Sequence, residues 1–166
     1  MNKPKQPLTP AQAMNRAAAL CAASEQAPGD MRDKLVKWGL TPDDAATVLE
    51  QLTGQGFIDE RRFARAFAAD RFAFNGWGRI KIAHQLRQKG ITASEIIDEA
   101  MSAIDEDKYR DKLTDLLRAK WRDVCGREPR AAWAAMMRFA ASRGFEPDLA
   151  ADAIRQVTHT DDAQDD

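Results

Sequence analysis

Three stretches with the same layout decide the fold: WGLTPDDAATVL at residues 38–49, KGITASEIIDEA at 89–100 and RGFEPDLAADAI at 143–154. In each stretch an apolar residue follows the glycine, and apolar or small residues recur six, seven and ten positions after it. Those later positions share one face of a helix. The glycines lie 51 and 54 residues apart, so the stretches indicate an internal repeat of helical segments.

Start and stop signals frame helices around these stretches. Proline occupies the first helical position in Thr9-Pro10, Thr41-Pro42 and Glu146-Pro147, where its fixed φ suits the helix and the threonines can cap it. Glycine provides the stops, because it tolerates the left-handed conformation after a helix, at Gly39, Gly56, Gly90 and Gly144. Alternating strand-like stretches are scarce, so the sequence predicts an all-α fold.

A second marker supports the period. Ile58-Asp59-Glu60 and Ile104-Asp105-Glu106 both open a helix with acidic residues in its first turn. Their negative charge is stabilised there by the positive end of the helix dipole. We therefore expect three tandem three-helix repeats that form an elongated body able to curve. The expected limits are residues 10–57, 58–105 and 106–158, with a flexible segment at 1–9 and a disordered acidic tail at 159–166.

Several functional classes are excluded by residue types. The 166-residue chain has two cysteines and two histidines, with no CxxC, GxSxG or HExxH motif, so we predict no catalytic site, metal or cofactor. No apolar run approaches the roughly 18 residues of a membrane span, and the N-terminal residues lack the apolar stretch of a signal peptide. These features predict a non-enzymatic monomer in a reducing cytoplasm.

The net charge of −1 conceals a separation of the two signs along the chain. Residues 57–91 carry eight Lys or Arg against three Asp or Glu, and residues 108–143 carry ten against four. Residues 92–107 hold six acidic residues and no basic one. Basic blocks can bind phosphate or an acidic protein, but solvated helix faces have the same composition. Charge alone therefore does not identify the partner.

The stretch FIDERRFARAFAADRFAFNGWGRIKIAHQLRQKGI, residues 57–91, is the candidate partner-binding segment. A helical wheel separates two faces of its first half: Phe63, Phe67 and Phe74 on one side, and Arg61, Arg65 and Phe72 on the other. Phe72 would then lie among arginines, where it either meets a partner or packs on the next repeat. Arg71 has a similar alternative, an ion pair with Asp70 or with another helix.

In the second half of the segment, Ile82 and Leu86 form an apolar side while Lys81 and His84 point the other way. The polar side either contacts a partner or is an ordinary solvated face. The candidate partner-binding residues of the whole segment are Arg61, Arg65, Arg71, Phe72, Arg79, Lys81, Arg87 and Lys89. Arg61, Arg65, Lys81 and Arg87 are the first choices.

The same segment resembles the RecX family, bacterial regulators of the RecA recombinase, whose pattern runs G-[FYL]-[LI]-D-[DE]-x-R-F-A, then Arg, then G-x-G, then R-I-x-x-E-L-x-x-K-G-I. The residues that carry the family motif here are Asp59, Glu60, Phe63, Gly76, Gly78, Ile82, Leu86, Gly90 and Ile91. Lys81 and Gln85 depart from it, standing where the family has arginine and glutamate. Looser matches at Lys34-Leu35, Arg138-Phe139 and 143–145 extend the resemblance over most of the chain.

The resemblance implies three tandem three-helix repeats, in agreement with the period read from the glycines. It also implies a protein that binds in the groove of the RecA–DNA filament and limits filament extension, and so modulates recombination, DNA repair and the SOS response. RecA is then the partner, with weak contact to single- or double-stranded DNA. Two alternatives stay open: a helical-repeat DNA-binding module that acts without RecA, and a protein scaffold that depends on neither.

Overall fold

The computed structural model describes residues 6–163. Every regular element in that range is an α-helix, which confirms the all-α prediction. The helices are α1 (Pro10–Ala23), α2 (Pro28–Lys37), α3 (Pro42–Gly54), α4 (Glu60–Asn75), α5 (Arg79–Gln88), α6 (Ser94–Ser102), α7 (Glu106–Val124), α8 (Pro129–Arg143) and α9 (Pro147–Asp162). None of these helices is long and apolar enough to cross a membrane.

The predicted stop glycines end helices in the left-handed conformation. Gly144 has φ 89°, its N–H donates to the Ala141 carbonyl at 3.0 Å, and the Phe145 N–H donates back to the Ala140 carbonyl at 3.1 Å. This pair of bonds satisfies carbonyls that the last turn would leave unpaired. The same arrangement, followed each time by an apolar residue, occurs at Gly39, Gly56 and Gly90.

One compact unit comprises residues 1–66 and 86–99, described from residue 6 onward. Its core lies among α1, α2 and α3. The fully buried side chains there are apolar and include Met31, Leu35, Leu52 and Ile58. Ala13 and Ala17 let α1 approach the core closely, because a methyl group fills little space.

The second compact unit comprises residues 67–85 and 100–166, described up to residue 163. Helices α7, α8 and α9 pack on one another around Leu117, Met136 and Ile154. The last turns of α4 belong to this unit, where Phe72 stacks on Tyr109 at a centroid distance of 5.7 Å. Tyr109 also packs on Phe145, at 5.1 Å.

The flexible segment expected at 1–9 and the disordered tail expected at 159–166 stay predictions, and the structure describes part of each. Helix α9 continues to Asp162, and the Trp121 indole N–H donates to the Asp161 carboxylate at 2.6 Å. At the other end, the Leu8 N–H donates to the Trp38 carbonyl at 2.9 Å, and Leu8 packs against the core. Residues 1–5 and 164–166 lie outside the described residues. The three predicted repeat limits stay a prediction, although three helices fall within each segment.

Close backbone approaches between helix ends occur in both units. In the first unit, the Gly29 N–H at the start of α2 donates to the Lys89 carbonyl, just past the end of α5, at 2.8 Å. In the second unit, the Gly78 N–H before α5 donates to the Arg143 carbonyl at the end of α8, at 2.7 Å. A Cβ atom on Gly29 would lie 2.6 Å from the Lys89 oxygen, and one on Gly78 would lie 2.4 Å from the Gly144 carbonyl. Only glycine fits these two junctions.

Candidate partner-binding surface

Asp59 and Arg62 fix the start of α4. The Asp59 carboxylate accepts the Arg62 backbone N–H at 3.0 Å, as an N-cap does. The Arg62 guanidinium then pairs with Glu25 and donates to the Gly56 carbonyl at 3.3 Å. Glycine suits that position, because Gly56 has φ 78°. This part of the motif therefore builds the fold of the first unit.

The arginines predicted to face a partner here share one carboxylate. Arg65 pairs with Glu99 of α6 at 2.9 Å, and Arg61 pairs with the other oxygen of the same group. Both arginine side chains stay more than half exposed, at 58% for Arg61 and 61% for Arg65. Exposed ion pairs of this kind contribute little to stability, so the two guanidinium groups can exchange Glu99 for a partner.

Lys89 is engaged within the first unit. Its ammonium pairs with the Asp30 carboxylate of α2 at 2.8 Å, beside the hydrogen bond between the Gly29 N–H and the Lys89 carbonyl. Arg87 lies on the exposed side of α5. Of these two candidates, Arg87 presents its charge to solvent and Lys89 holds α2 against the end of α5.

Of the two alternatives for Phe72, a partner contact or packing on the next repeat, the structure shows the packing, and the partner contact stays a prediction. Phe72 is 9% exposed and stacks on Tyr109 of α7. Phe74, predicted to share the buried side with Phe63 and Phe67, is instead 85% exposed. The buried stripe of α4 shifts around the helix in the last turns, because Tyr109 covers the side on which Phe72 lies.

Among residues 6–163, Arg71 forms neither of the ion pairs considered for it. Its guanidinium lies over the rings of Phe67, at 5.0 Å, and Trp77, at 5.4 Å, and donates to the Asn75 side-chain oxygen at 3.2 Å. The buried Nε atom of Arg71 has no hydrogen-bond partner in the part of the chain that the structure describes. Cation–π contact with two rings holds this charge in place.

Arg79 belongs to an internal network of the second unit. Its guanidinium pairs with Glu146 at 2.9 Å, pairs with Glu106, and lies 3.8 Å from the centre of the Tyr109 ring. The Tyr109 hydroxyl donates to the other Glu146 oxygen and accepts the Arg79 backbone N–H at 2.9 Å. Glu146 therefore does not cap α9 with its side chain, because both of its oxygens face the network.

The network shifts the pKa values of its acidic members in opposite directions. Burial, with the hydrogen bond to Glu146, raises the pKa of Tyr109 above its usual 10.0. The hydrogen bond from Arg79 lowers the pKa of the exposed Glu106 carboxyl. The folded state thus favours the neutral phenol of Tyr109 and the ionised carboxylate of Glu106.

Alkaline titration tests this network, because Tyr109 is the only tyrosine of the chain. A group whose pKa is raised on folding contributes stability that is complete below its unfolded pKa and is lost as the pH rises above it. We expect phenolate absorbance to appear above pH 10 in the folded protein and near pH 10.0, the ordinary tyrosine value, in urea. Coincident titrations in the two states would contradict the burial of the hydroxyl.

Lys81 lies in the first turn of α5. Its ammonium lies 4.7 Å from the Trp77 ring centre and 3.5 Å from the Ser142 carbonyl, so it stays beside the turn between α4 and α5. Lys81 and Arg87 are the two first-choice residues without an internal carboxylate partner among the described residues. Within the same range, no group of three or more His, Cys, Asp or Glu side chains is placed to hold a metal.

Comparison of the chain with known proteins identifies its family. The model of the second three-helix domain of RecX matches residues 59–101, which span α4, α5 and most of α6. Regulatory protein RecX of Chromohalobacter salexigens is 35% identical over 130 residues, which cover 78% of this chain and 82% of that protein. The chain belongs to the RecX family. The RecX proteins of Chromobacterium violaceum and Xanthomonas oryzae pv. oryzae are 33% and 31% identical and cover 86% and 89% of this chain, and 86% and 88% of their own.

Solved RecX structures share the fold. The crystal structure of RecX from Lactobacillus salivarius superposes with a TM-score of 0.78 at 16% identity, covering 90% of this chain and 96% of that one. A second crystal structure of regulatory protein RecX gives a TM-score of 0.76 at 19% identity, covering 89% and 73%. These likenesses confirm the prediction of three-helix repeats.

The RecX motif residues of this chain are mostly structural. Phe63, Ile82, Leu86 and Ile91 are buried, Gly76 and Gly90 have positive φ, and Gly78 has no room for a side chain. Sequence reasoning missed the Tyr109 network. The sequence showed Glu146 before the proline that starts α9, but not that its side chain binds Arg79 and Tyr109. It also missed the exposure of Phe74, which no pattern in the sequence signals.

Proposed function

We propose that this RecX-family chain regulates the RecA recombinase by binding the RecA–DNA filament in its groove and limiting filament extension. The observation that carries the proposal is the match, along more than three quarters of the chain, to relatives named regulatory protein RecX. Regulation of this kind needs no catalytic group, since a bound protein competes with the next RecA protomer. Its consequences would be reduced recombination and altered DNA repair and SOS signalling in the cytoplasm, with the chain acting as a monomer.

Exposed cations form the proposed contact. Arg87 and Lys81 present charge without a carboxylate partner among residues 6–163, and Arg61 and Arg65 share Glu99 at the surface. Several such charges can bridge neighbouring RecA protomers, and bivalent contact raises the apparent affinity without any single strong interaction. Phe72, Arg79 and Lys89 are left out of this contact, because each is engaged inside its own unit.

Charge variants test the contact. We expect Lys81→Glu and Arg87→Glu each to weaken binding to RecA filaments on single-stranded DNA by about fivefold, mainly through slower association. Glu99→Gln is the matched control for Arg61→Glu and Arg65→Glu, since it breaks the same ion pairs while keeping both arginines. It should bind at least as well as the wild type, whereas the two arginine variants should bind less. Wild-type binding by all four charge-reversal variants, at unchanged melting temperature, would show that the contact lies elsewhere.

A DNA-binding module that acts without RecA is the second candidate, and it is favoured by the cations that lack carboxylate partners. It predicts tight binding to bare DNA, with an association constant that falls steeply as salt is raised, because phosphate contacts release counterions. The RecA proposal requires only weak bare-DNA binding. Fluorescence anisotropy with the same oligonucleotide, free and coated with RecA, at two salt concentrations separates the two candidates.

A further inference from the structure

The end of α4 carries an unusually exposed aromatic side chain. Phe74 is 85% exposed and Ile80 is 53% exposed, the two highest values among the large apolar side chains of the described residues. They flank the turn between α4 and α5. Exposed large apolar groups that lie near one another commonly mark an interaction surface.

The backbone that holds these two side chains is fixed. The Trp77 N–H donates to the Arg71 carbonyl at 3.2 Å, and the Ile80 N–H donates to the Gly144 carbonyl at 3.0 Å. Gly78 lies against Gly144 with no space for a Cβ atom. A side chain held on rigid backbone loses little conformational freedom on binding, which favours affinity.

Cations surround Phe74 and make contacts with neutral groups. Lys112 donates to the Ala73 carbonyl at 3.3 Å and Arg143 donates to the Asn75 carbonyl at 3.1 Å, the carbonyls on either side of Phe74. Arg71 and Lys81 contact rings and neutral oxygens nearby. Within residues 6–163, none of these four cations forms an ion pair, in contrast to Arg61, Arg65, Arg79 and Lys89.

An open groove of about 560 Å³ continues this surface between the end of α4 and α7. Phe72 and Leu116 line it, so its apolar surface adjoins Ala73 and Phe74. Its other lining residues include two lysines and two aspartates, Lys108, Asp111, Lys112 and Asp115. Lys112 belongs both to the groove and to the four cations named above, so the combined surface carries five positive and two negative charges, a net charge of about +3.

We propose that Phe74 is the central anchor of a docking surface, formed with Ile80, Lys112 and Arg143, for an acidic protein surface that has an apolar pocket. The inference rests on the proposed function and makes the partner a RecA protomer, not the DNA. An apolar centre with a charged rim is the usual anatomy of a protein–protein contact, in which one buried aromatic residue contributes a large share of the affinity.

The aromatic rings near the turn between α4 and α5 argue against stacking with nucleic-acid bases. Trp77 has Arg71 and Lys81 over its ring, at 5.4 and 4.7 Å, and Phe139 has Lys120 and Arg143 over its ring, at 5.6 and 5.5 Å. A single-strand-binding surface needs successive open rings for successive bases. Among the described aromatic residues of the turn between α4 and α5, Phe74 is the exposed one, and its exposed neighbour Ile80 is aliphatic.

Truncation of Phe74 tests the proposal. We expect Phe74→Ala to weaken binding to RecA filaments on single-stranded DNA at least about tenfold, as loss of a central aromatic residue does. Its melting temperature should stay within about 2 °C of the wild type, because an exposed side chain contributes little to folding. Val36→Ala is the matched control, since Val36 is also exposed, at 46%, but belongs to the first unit. It should bind as the wild type does.

Each other outcome overturns the proposal in a recognisable way. Wild-type affinity of Phe74→Ala for the filament would show that Phe74 is not an anchor. Equal weakening of binding to the filament and to bare DNA would assign the ring to nucleic acid. Failure of the wild-type protein to bind the filament would instead refute the proposed function, and the docking surface for RecA with it.

Discussion

Replacement of Gly78 by alanine is expected to lower the free energy of unfolding by about 3 kcal/mol, as expected when a side chain is forced into a close-packed contact. The new Cβ atom would lie 2.4 Å from the Gly144 carbonyl carbon and oxygen and 2.5 Å from the Phe145 nitrogen. These are backbone atoms, so no side-chain rotation can relieve the contact. The segment between α4 and α5 must therefore move away from α8. This movement breaks the hydrogen bond from the Gly78 N–H to the Arg143 carbonyl.

Thermal unfolding followed by circular dichroism measures the effect. A loss of about 3 kcal/mol corresponds to a fall in melting temperature of about 10 °C for a chain of this size. Gly126→Ala is the matched control, because a Cβ atom there has nothing within 4 Å, and it should change stability by less than about 0.5 kcal/mol. If Gly78→Ala melts with the control, the close approach of α5 to the end of α8 is wrong.

Replacement of Arg79 by methionine is expected to lower the free energy of unfolding by about 2 kcal/mol, because it leaves a partly buried carboxylate without its cation. Glu146 loses its ion pair and retains only the Tyr109 hydroxyl donor. Methionine can still contact the Tyr109 ring. The fall in the free energy of unfolding therefore measures the lost charge interaction more than lost packing. Urea denaturation at neutral pH measures it.

Arg110→Met provides the comparison, since Arg110 pairs with Glu106 from an exposed position one helical turn away. Loss of this ion pair should lower the free energy of unfolding by less than about 0.5 kcal/mol. The Arg79 variant also separates the sequence prediction from the structure. Wild-type stability together with lost filament binding would make Arg79 a partner-binding residue, as the sequence predicted, and would contradict the internal network.

The repeat and its helix boundaries could be predicted because local physics encodes them. The stop glycines are needed for positive φ, and the apolar residues after Gly39, Gly90 and Gly144 are buried in the structure, namely Leu40, Ile91 and Phe145. These requirements act within a few residues and therefore leave a pattern at fixed spacing. The same regularity carries the resemblance to RecX.

The face of α4 that is buried could not be predicted along its whole length from the sequence of the helix. A helical wheel assigns one buried side to the whole helix, but the first turns of α4 belong to one unit and the last turns to the other. Phe72 is buried because Tyr109, far along the chain, packs over it. Phe74 lies on the side of Phe63 and Phe67, yet in the last turn it has become exposed.

Ion pairs between distant segments were equally invisible in the sequence. Glu99 binds Arg61 and Arg65 across more than thirty residues, and Glu146 binds Arg79 across 67. The sequence showed that basic residues cluster, but which of them retain an uncompensated charge depends on tertiary neighbours. That distinction leaves Lys81 and Arg87 as the first-choice cations without a carboxylate partner among residues 6–163, while Arg61 and Arg65 both pair with Glu99.

Regulation of RecA is tested most directly by its DNA-dependent ATPase activity on single-stranded DNA while this protein is added below the RecA concentration. We predict inhibition at substoichiometric ratios, because one molecule that limits extension removes many downstream protomers from the filament. Unchanged ATPase activity up to equimolar protein, together with firm salt-dependent binding to bare DNA, would contradict the account and favour a DNA-binding module of the same fold.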